Sequence, residues 1–372
     1  MHRVLLLGSG KIGRMIAKLL TDSGDYLVTA ADVDPASLAR LQEVAGAETQ
    51  RLDATDQRAL VQTMRHYDCV ISALSFHHNP TVARAALEAG ISYFDLTEDI
   101  ETTNQVREVA AQARPGQLFA PQCGLAPGFV SIAAHHLTTF FDELDTVHMR
   151  VGALPQFPTG ALKYNLTWST DGLINEYCNP CEAIHDHRRV EILPLEGFEN
   201  FSLDGVRYEA FNTSGGLGSM CETLSGRVRE LNYKTIRYQG HRDLMTFLIH
   251  ELRMRDDRDN LKTILERSVP VTWQDVVVVF CNVSGRRKGQ LVKMSDARKI
   301  YQQEIDGARW SAIQITTASG ICAAVDLHAT GKLKAQGFLR QEEIGLEQFL
   351  NNRFGACYRS QTASKYASHE SE

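Results

Sequence analysis

The sequence lacks what several protein classes require. No apolar run approaches the ~18 residues that suggest a membrane-spanning helix. Positive charge is not in excess: the formal net charge is -6, which offers no electrostatic footprint for nucleic acid or an anionic membrane surface. No segment repeats internally. The chain enters an apolar strand pattern at once, without a signal-peptide pattern, so the expectation is a cytoplasmic protein. Eight cysteines are present, but they are scattered. Only Cys178 and Cys181 form a CxxC, with Asn179-Pro180 between them. No second CxxC or HxxxH follows at zinc spacing. Buried, reduced thiols are therefore expected, and no metal centre.

What is present is ordinary in bulk and specific in detail. At 372 residues, with 43% apolar and 23% charged residues, the chain is long enough for two domains. The first stretch carries the sharpest signal. An apolar run from Val4 to Leu7 leads into Gly8-Ser9-Gly10-Lys11-Ile12-Gly13, then into apolar positions at helical spacing, Ile12, Ile16, Leu19 and Leu20. A second apolar run, Tyr26 to Ala31, ends at Asp32. Strand, glycine turn, helix, strand and acid in this order suit a dinucleotide site. Gly8 would allow the tight turn, Gly10 the approach of a pyrophosphate, and Gly13 close packing of helix on sheet. The helix N-terminus would offer free N–H groups to the phosphates. Asp32 would accept both ribose hydroxyls and repel a 2′-phosphate. Val33 and Asp34 follow with no Arg to receive one, so NAD is expected over NADP.

Through about residue 122, short apolar runs alternate with amphipathic stretches. This rhythm predicts an α/β fold, a Rossmann-type doubly wound parallel sheet over residues 1–123. Ligands bind such sheets beyond the carboxyl ends of the strands. The residues to watch there are Asp53, the loop Ser72–Asn79 with Ala73, Leu74 and Ser75 expected near the nicotinamide ribose, Asp95–Glu98, and Gln122–Gly128. Residues 124–330 read as an α+β domain supplying a substrate wall and a subunit interface. Within it Leu162 to Trp168 reads as a strand and Ala312 to Leu327 as a helix. Residues 331–360 are expected to return to the first domain, with a helix over Gly337 to Phe349, and 361–372 form a polar tail.

Five stretches carry a family resemblance: GSGKIG with Asp32, CGLAPG, LKYNLTWSTDGLINEY, EAFNTSGGL and YKTIRYQGH. In this order they make the chain similar to saccharopine dehydrogenases and the related lysine 6-dehydrogenases, over about residues 1–330. The resemblance implies an NAD(P)-dependent oxidation at a carbon–nitrogen bond of a lysine-derived amino acid, in a homodimer built through the second domain's sheet. The glutamate-forming saccharopine reaction is the leading expectation, ε-deamination of lysine the alternative. A non-catalytic NAD-binding sensor or scaffold is the alternative of another class. The chain departs from saccharopine enzymes in having Phe76, beside His77 and His78, where those often carry a tyrosine.

Such chemistry needs a group to accept a proton and cations for the substrate carboxylates, but no metal. For proton transfer the candidates are Asp95, His77, His78 and His241; Asp95 reads equally as a cap of the next turn. For carboxylates they are Arg237 and Lys163, with Lys234 and Arg150 as alternatives. Ser214 to Gly216 would present backbone N–H groups or form a plain glycine turn.

Overall fold

The computed structural model describes residues 1–359; the last of the expected segments, 361–372, lies outside them. The first half alternates as expected: β1 (His2–Leu7), α1 (Lys11–Asp22), β2 (Tyr26–Asp32), α2 (Pro35–Ala45), β3 (Glu48–Arg51), α3 (Gln57–Met64), β4 (Cys69–Ser72), α4 (Asn79–Ala89), β5 (Ser92–Asp95), α5 (Ile100–Ala110) and β6 (Leu118–Ala120). Val4 to Leu7 and all of β4 are buried because helices cover both faces of the sheet. Local chemistry marks the helix ends. Asp34 caps α2 through the N–H groups of Ala36 and Ser37, with Pro35 in the first turn, and Gly46 closes it in the left-handed region.

The second region runs α6 (Phe129–Thr138), β7 (Glu143–Pro155), α7 (Thr170–Cys178), β8 (Cys181–His185), β9 (Arg188–Ile192), β10 (Glu199–Leu203), β11 (Val206–Asn212), the short α8 (Met220–Thr223), β12 (Glu230–Tyr238), α9 (His241–Thr246), α10 (Arg258–Ser268), β13 (Asp275–Arg287) and β14 (Gln290–Tyr301). A small hairpin, β15 (Gln303–Ile305) and β16 (Ala308–Trp310), precedes α11 (Ala312–Ala329); β17 (Gly337–Phe338) and α12 (Leu346–Asn351) end the described chain. The second sheet has the order β10-β11-β12-β7-β13-β14, with β8 and β9 attached beside β12. Its strands pair antiparallel except β12 with β7.

Among the described residues the first sheet has seven strands, in the order β17-β6-β5-β4-β1-β2-β3. All its pairings are parallel. The seventh strand is the returning segment, where Gly337 and Phe338 pair with Leu118 and Phe119. The expected helix over 337–349 is thus only partly formed. Gly337 takes a left-handed φ of 86° and enters the sheet, leaving α12 as the helical remnant. The return also begins earlier than expected. Helix α11, expected inside the second domain, packs on α1, where the Gln314 side chain donates to the Lys11 carbonyl at 3.0 Å and Tyr26 donates to Asp326 at 2.7 Å. Its small residues permit this. A Cβ on Gly320 would stand 2.6 Å from the Cys123 carbonyl oxygen. Leu162 to Trp168, expected as a strand, is irregular; Leu166 and Asn165 bond to the Pro270 carbonyl instead of to a neighbouring strand.

All eight cysteines are free thiols, buried apart from the half-buried Cys357. No helix among the described residues is long and apolar enough to cross a membrane.

Candidate active site

The glycine turn leaves β1 against the chain that follows β4. Gly8 has a φ of 99°, and a Cβ there would meet the Ala73 carbonyl oxygen at 2.7 Å. On Gly13 it would lie 2.0 Å from the Gly8 carbonyl oxygen, so the first turn of α1 rests on the glycine loop itself. Gly10 differs: its Cβ direction has nothing within 4 Å. The open space at Gly10, with the unpaired N–H groups of the α1 N-terminus beside it, is a cradle that fits a pyrophosphate. Lys11 and Ile12 form that first turn. Together with Ala73, Leu74 and Ser75 they line a groove whose far wall is Leu166, Trp168–Asp171 and Lys262 of the second region. The Lys11 ammonium reaches across it to the Leu166 carbonyl at 3.4 Å.

Asp32 stands at the end of β2 as expected, but much of its carboxylate is already engaged. Oδ2 accepts the Ser9 N–H at 2.8 Å and the Ser9 hydroxyl at 2.7 Å, and Oδ1 accepts the Asp34 N–H at 3.0 Å. Burial works against its ionisation, yet the Asp34 and Ser9 donors hold it below the usual carboxylate range. Asp53 is exposed and closes its own turn by accepting from Thr55; it lines neither this groove nor the inner cavity.

The groove continues inward past Ile12, Ala73–Ser75 and Trp168 into a cavity of about 1030 Å³ including its open mouth. The first region contributes Phe76, Leu96–Glu98 and the Gly124–Pro127 turn; the second contributes Glu176 on α7 and Tyr233, Thr235 and Arg237 on β12. The alternation of β12 explains the choice. Residues 233, 235 and 237 share one face, so Lys234 points to the other, where it and Arg150 pair with Glu199. Neither alternative cation is therefore available to the cavity. Lys163 is also elsewhere, its ammonium donating to the Gln239 carbonyl at 3.0 Å.

Arg237 is 3% exposed and elaborately held. Nε donates to the Tyr177 hydroxyl at 2.8 Å, and Nη1 donates to Thr235 Oγ1 at 2.6 Å and the Ile236 carbonyl at 2.8 Å. The Tyr164 ring lies under the guanidinium, 4.8 Å from its carbon. Three of its five N–H groups are spent on this frame. The two on Nη2 remain, with Glu176 Oε2 3.9 Å away.

His241 belongs to that frame. Because the Tyr177 oxygen accepts from Arg237, its own proton goes to His241 Nε2 at 3.0 Å. The imidazole must then carry its hydrogen on Nδ1, which donates to the Leu162 carbonyl at 2.8 Å. Burial, then the nearby Arg237 charge, pushes its pKa down to about 3. A neutral ring with both nitrogens occupied, outside the cavity lining, braces Tyr177 and does not carry protons. This corrects the expectation of proton transfer at His241. His77 is corrected as well. It is exposed on the turn Phe76–His78, packed against His78, and Phe76 lines the cavity in its place.

Asp95 is fully buried but partnered. Its carboxyl accepts from the Tyr93 hydroxyl at 2.6 Å and from the N–H groups of Thr97 and Gln122 at 2.9 and 3.0 Å. It ties the β5 loop to the β6 loop and does not line the cavity. Of its two readings, the turn cap is the one realised. Burial still pushes it up to about 6.

Two carboxyls that sequence reasoning did not single out as site groups take that place, Glu98 and Glu176. Burial pushes Glu98 up to about 7, helped by the charges of Asp99, Asp95 and Asp171. Burial pushes Glu176 up to about 8, opposed by Arg237 and reinforced by Glu98. The TSGG turn is the joint between them. The Ser214 N–H donates to the Glu176 carbonyl at 2.9 Å, its hydroxyl to the Pro180 carbonyl at 2.7 Å, and a Cβ on Gly215 would stand 2.1 Å from the Glu98 carbonyl oxygen. Ser214 and Gly215 thus set the two acids in place and do not line the cavity themselves. The available signal for Glu98 was its position after a parallel strand. For Glu176 it was membership of the LKYNLTWSTDGLINEY stretch.

Comparison with known proteins agrees with this two-part architecture. Residues 4–120 match the saccharopine dehydrogenase NADP binding domain, and residues 124–354 match the saccharopine dehydrogenase C-terminal domain. The chain is 22% identical over 329 residues to the saccharopine dehydrogenase [NADP(+), L-glutamate-forming] of Saccharomyces cerevisiae, covering 82% of this chain and 69% of that protein. It is 20% identical over 328 residues to the Schizosaccharomyces pombe protein of the same description, covering 83% and 70%. Apo histidine-tagged saccharopine dehydrogenase (L-Glu forming) from Saccharomyces cerevisiae shares the fold, with a TM-score of 0.75 at 17% identity, covering 94% of this chain and 95% of that one. The chain belongs to the saccharopine dehydrogenase family.

Proposed function

We propose that this protein is a nicotinamide-dinucleotide oxidoreductase of the L-glutamate-forming saccharopine dehydrogenase type, acting on the carbon–nitrogen bond of a lysine-derived amino acid. The observation that carries the reading is Arg237, whose two uncommitted N–H groups face a cavity continuous with the glycine-turn groove. A guanidinium pinned on its other edge is a rigid fork for a carboxylate. When bound, the dinucleotide supplies the hydride acceptor. The chain's own residues do the rest. Arg237 fixes the amino acid, Tyr177 and His241 fix Arg237, and the open cavity leaves room for the water that must add to the oxidised carbon before the products separate.

NADP is the cofactor proposed, in place of the expected NAD. The family domain and the yeast relatives carry NADP in their descriptions. Two features support the same choice. Asp32 gives three of its roughly four acceptor sites to Ser9 and Asp34, so it is poorly placed to take both ribose hydroxyls. Arginines also reach the β2–α2 corner, though not from the residues next to Asp32. Arg40 donates to Ser37 Oγ at 2.7 Å and lies 3.7 Å from Asp34, and Arg14 on α1 is close enough for the Arg40 charge to disfavour its own. The Arg14 Nε is buried without a partner. This pair suits a 2′-phosphate.

A second reading, oxidation of the free ε-amine of lysine, is favoured by the charge inside the cavity. Among the described lining residues Arg237 is the one cation, against two carboxyls. A substrate with one carboxylate matches that count better than one with three. Purified protein incubated with NADP or NAD and either saccharopine or lysine tests both. Glutamate from saccharopine supports the first reading, ammonia from lysine the second. Dinucleotide binding without reduction by either amine would leave a binding protein.

A further inference from the structure

Glu176, buried, and Glu98, half-buried, are unusual among the acids inside this protein. Among the described residues neither carboxyl accepts a hydrogen bond from another residue, and the nearest cation, the Arg237 guanidinium, stands 3.9 Å from Glu176. Their backbones are the opposite. Ser214 bonds one, Gly215 is pressed against the other, and Gly172 leaves room for Glu98 Oε1, which a Cβ there would meet at 2.8 Å. Both acids open onto the cavity on fixed backbones, with the Glu98 backbone N–H as a donor to its own carboxyl and none from another residue, so their charge is poorly compensated by the protein itself. They make a good receptor for something that brings its own donors and positive charge.

We propose that Glu98 and Glu176 form a paired-carboxyl seat for the cationic amine of the substrate, beside the carboxylate fork of Arg237, and that the pair takes the proton this amine must lose before oxidation. The inference rests on the amino-acid oxidoreductase reading and names the group that the cavity recognises. The two acids line one cavity, and the charge of Glu98 makes that of Glu176 harder to form, so the free protein favours a protonated Glu176. An arriving ammonium supplies N–H donors, two from a secondary amine such as that of saccharopine and three from the ε-amine of lysine, and compensates the second charge, so binding releases protons. The subsequent transfer is simple. An N–H bond of the ammonium breaks, its pair stays on nitrogen, and an O–H bond forms on a carboxylate of the pair. No electron changes owner in that step. The amine lone pair is then free to drive hydride from the adjacent carbon. The geometry, two acids lining one cavity with a single cation 3.9 Å from Glu176, suits a cationic partner, and the raised pKa values of both acids agree with this role.

The test uses the full chain with NADPH present and compares lysine with norleucine, which lacks the ε-amine, by titration calorimetry in two buffers of different ionisation enthalpy. Lysine should bind at least tenfold more tightly than norleucine, with net proton release. Glu98→Gln and Glu176→Gln should each erase that difference while leaving NADPH affinity within twofold of wild type. Glutamine imitates the protonated acid, so folding is preserved, and unchanged NADPH affinity verifies it. Equal affinity for lysine and norleucine in the wild type, or a lysine preference that survives both substitutions, overturns the seat. Its failure is distinct from failure of the functional reading. The latter is shown by NADP reduction with neither saccharopine nor lysine, even where lysine binds with proton release.

Discussion

Replacing Glu176 by glutamine should stabilise the ligand-free protein, and only at high pH. The unfolded chain releases this proton near 4.5, whereas the folded protein holds it up to about 8. Between those values the folded state binds more protons than the unfolded state, so stability falls as pH rises. Below 4.5 both states hold the proton and the contribution is constant. Each pH unit of that interval is worth about 1.4 kcal/mol, which sets a ceiling of about 5 kcal/mol at pH 8. Water entry and local relaxation lower this, and a gain of about 1–3 kcal/mol at pH 8 is expected. Glutamine carries no charge to desolvate and keeps the shape. Thermal unfolding of ligand-free wild type and Glu176→Gln should therefore coincide at pH 5 and separate by several degrees at pH 8, the variant melting higher. Saturating lysine should narrow the gap by stabilising the wild type more than the variant. A variant that is less stable than wild type at both pH values would refute the reasoning, because the carboxylate would then have a partner in the folded protein.

Other perturbations reach the remaining parts of the site. Arg237→Lys removes the two-point fork and unpairs the Tyr177 oxygen; with charge-assisted bonds at about 1.5–3 kcal/mol each, KM for the amino acid should rise about 100-fold or more while NADPH affinity is kept. His241→Leu leaves the Tyr177 O–H without an acceptor and the Leu162 carbonyl without its donor, costing about 2–4 kcal/mol of stability by denaturant titration. Its effect should fall on KM, and the pH profile of kcat should keep its shape, since a ring held neutral down to about 3 carries no proton at neutral pH. Arg14→Ala should weaken NADPH binding at least tenfold and leave NADH binding unchanged, as read by nicotinamide fluorescence; equal weakening of both would remove Arg14 from the 2′ position. Gly13→Ala should abolish binding of either dinucleotide, because a Cβ placed 2.0 Å from the Gly8 carbonyl oxygen forces the glycine turn apart.

The parts of this protein that are local in sequence are legible in it. The β1–α1 turn reads directly, because a strand, a positive-φ glycine and a helix N-terminus are short-range matters, and the strand rhythm foretells a parallel sheet. The charged chemistry is not local. Asp95 and Glu98 are three residues apart, and only the folded structure shows that one receives three donors while the other is left with its own backbone N–H. Glu176 lies 78 residues beyond Glu98, and their backbones are linked by the turn at Ser214 and Gly215. Arg14 and Arg40 converge from two helices, so inspecting the residues after Asp32 could not reveal them. His241 attracted a catalytic reading by its residue type, but its role is decided by which way the Tyr177 proton points. The segment after 336 has helical apolar spacing, yet an open edge beside β6 captures Gly337 and Phe338 as strand, because pairing there satisfies backbone groups that a helix would leave on the sheet edge.

The most direct measurement of the central claim is the initial rate of NADPH formation by the purified wild-type protein with saccharopine and with lysine, each against an amine-free analogue. NADPH formation should require the substrate amine, rise with pH as the carboxyl pair ionises, and collapse in Arg237→Lys. Tight NADP binding with no reduction by either amine at any pH would contradict it.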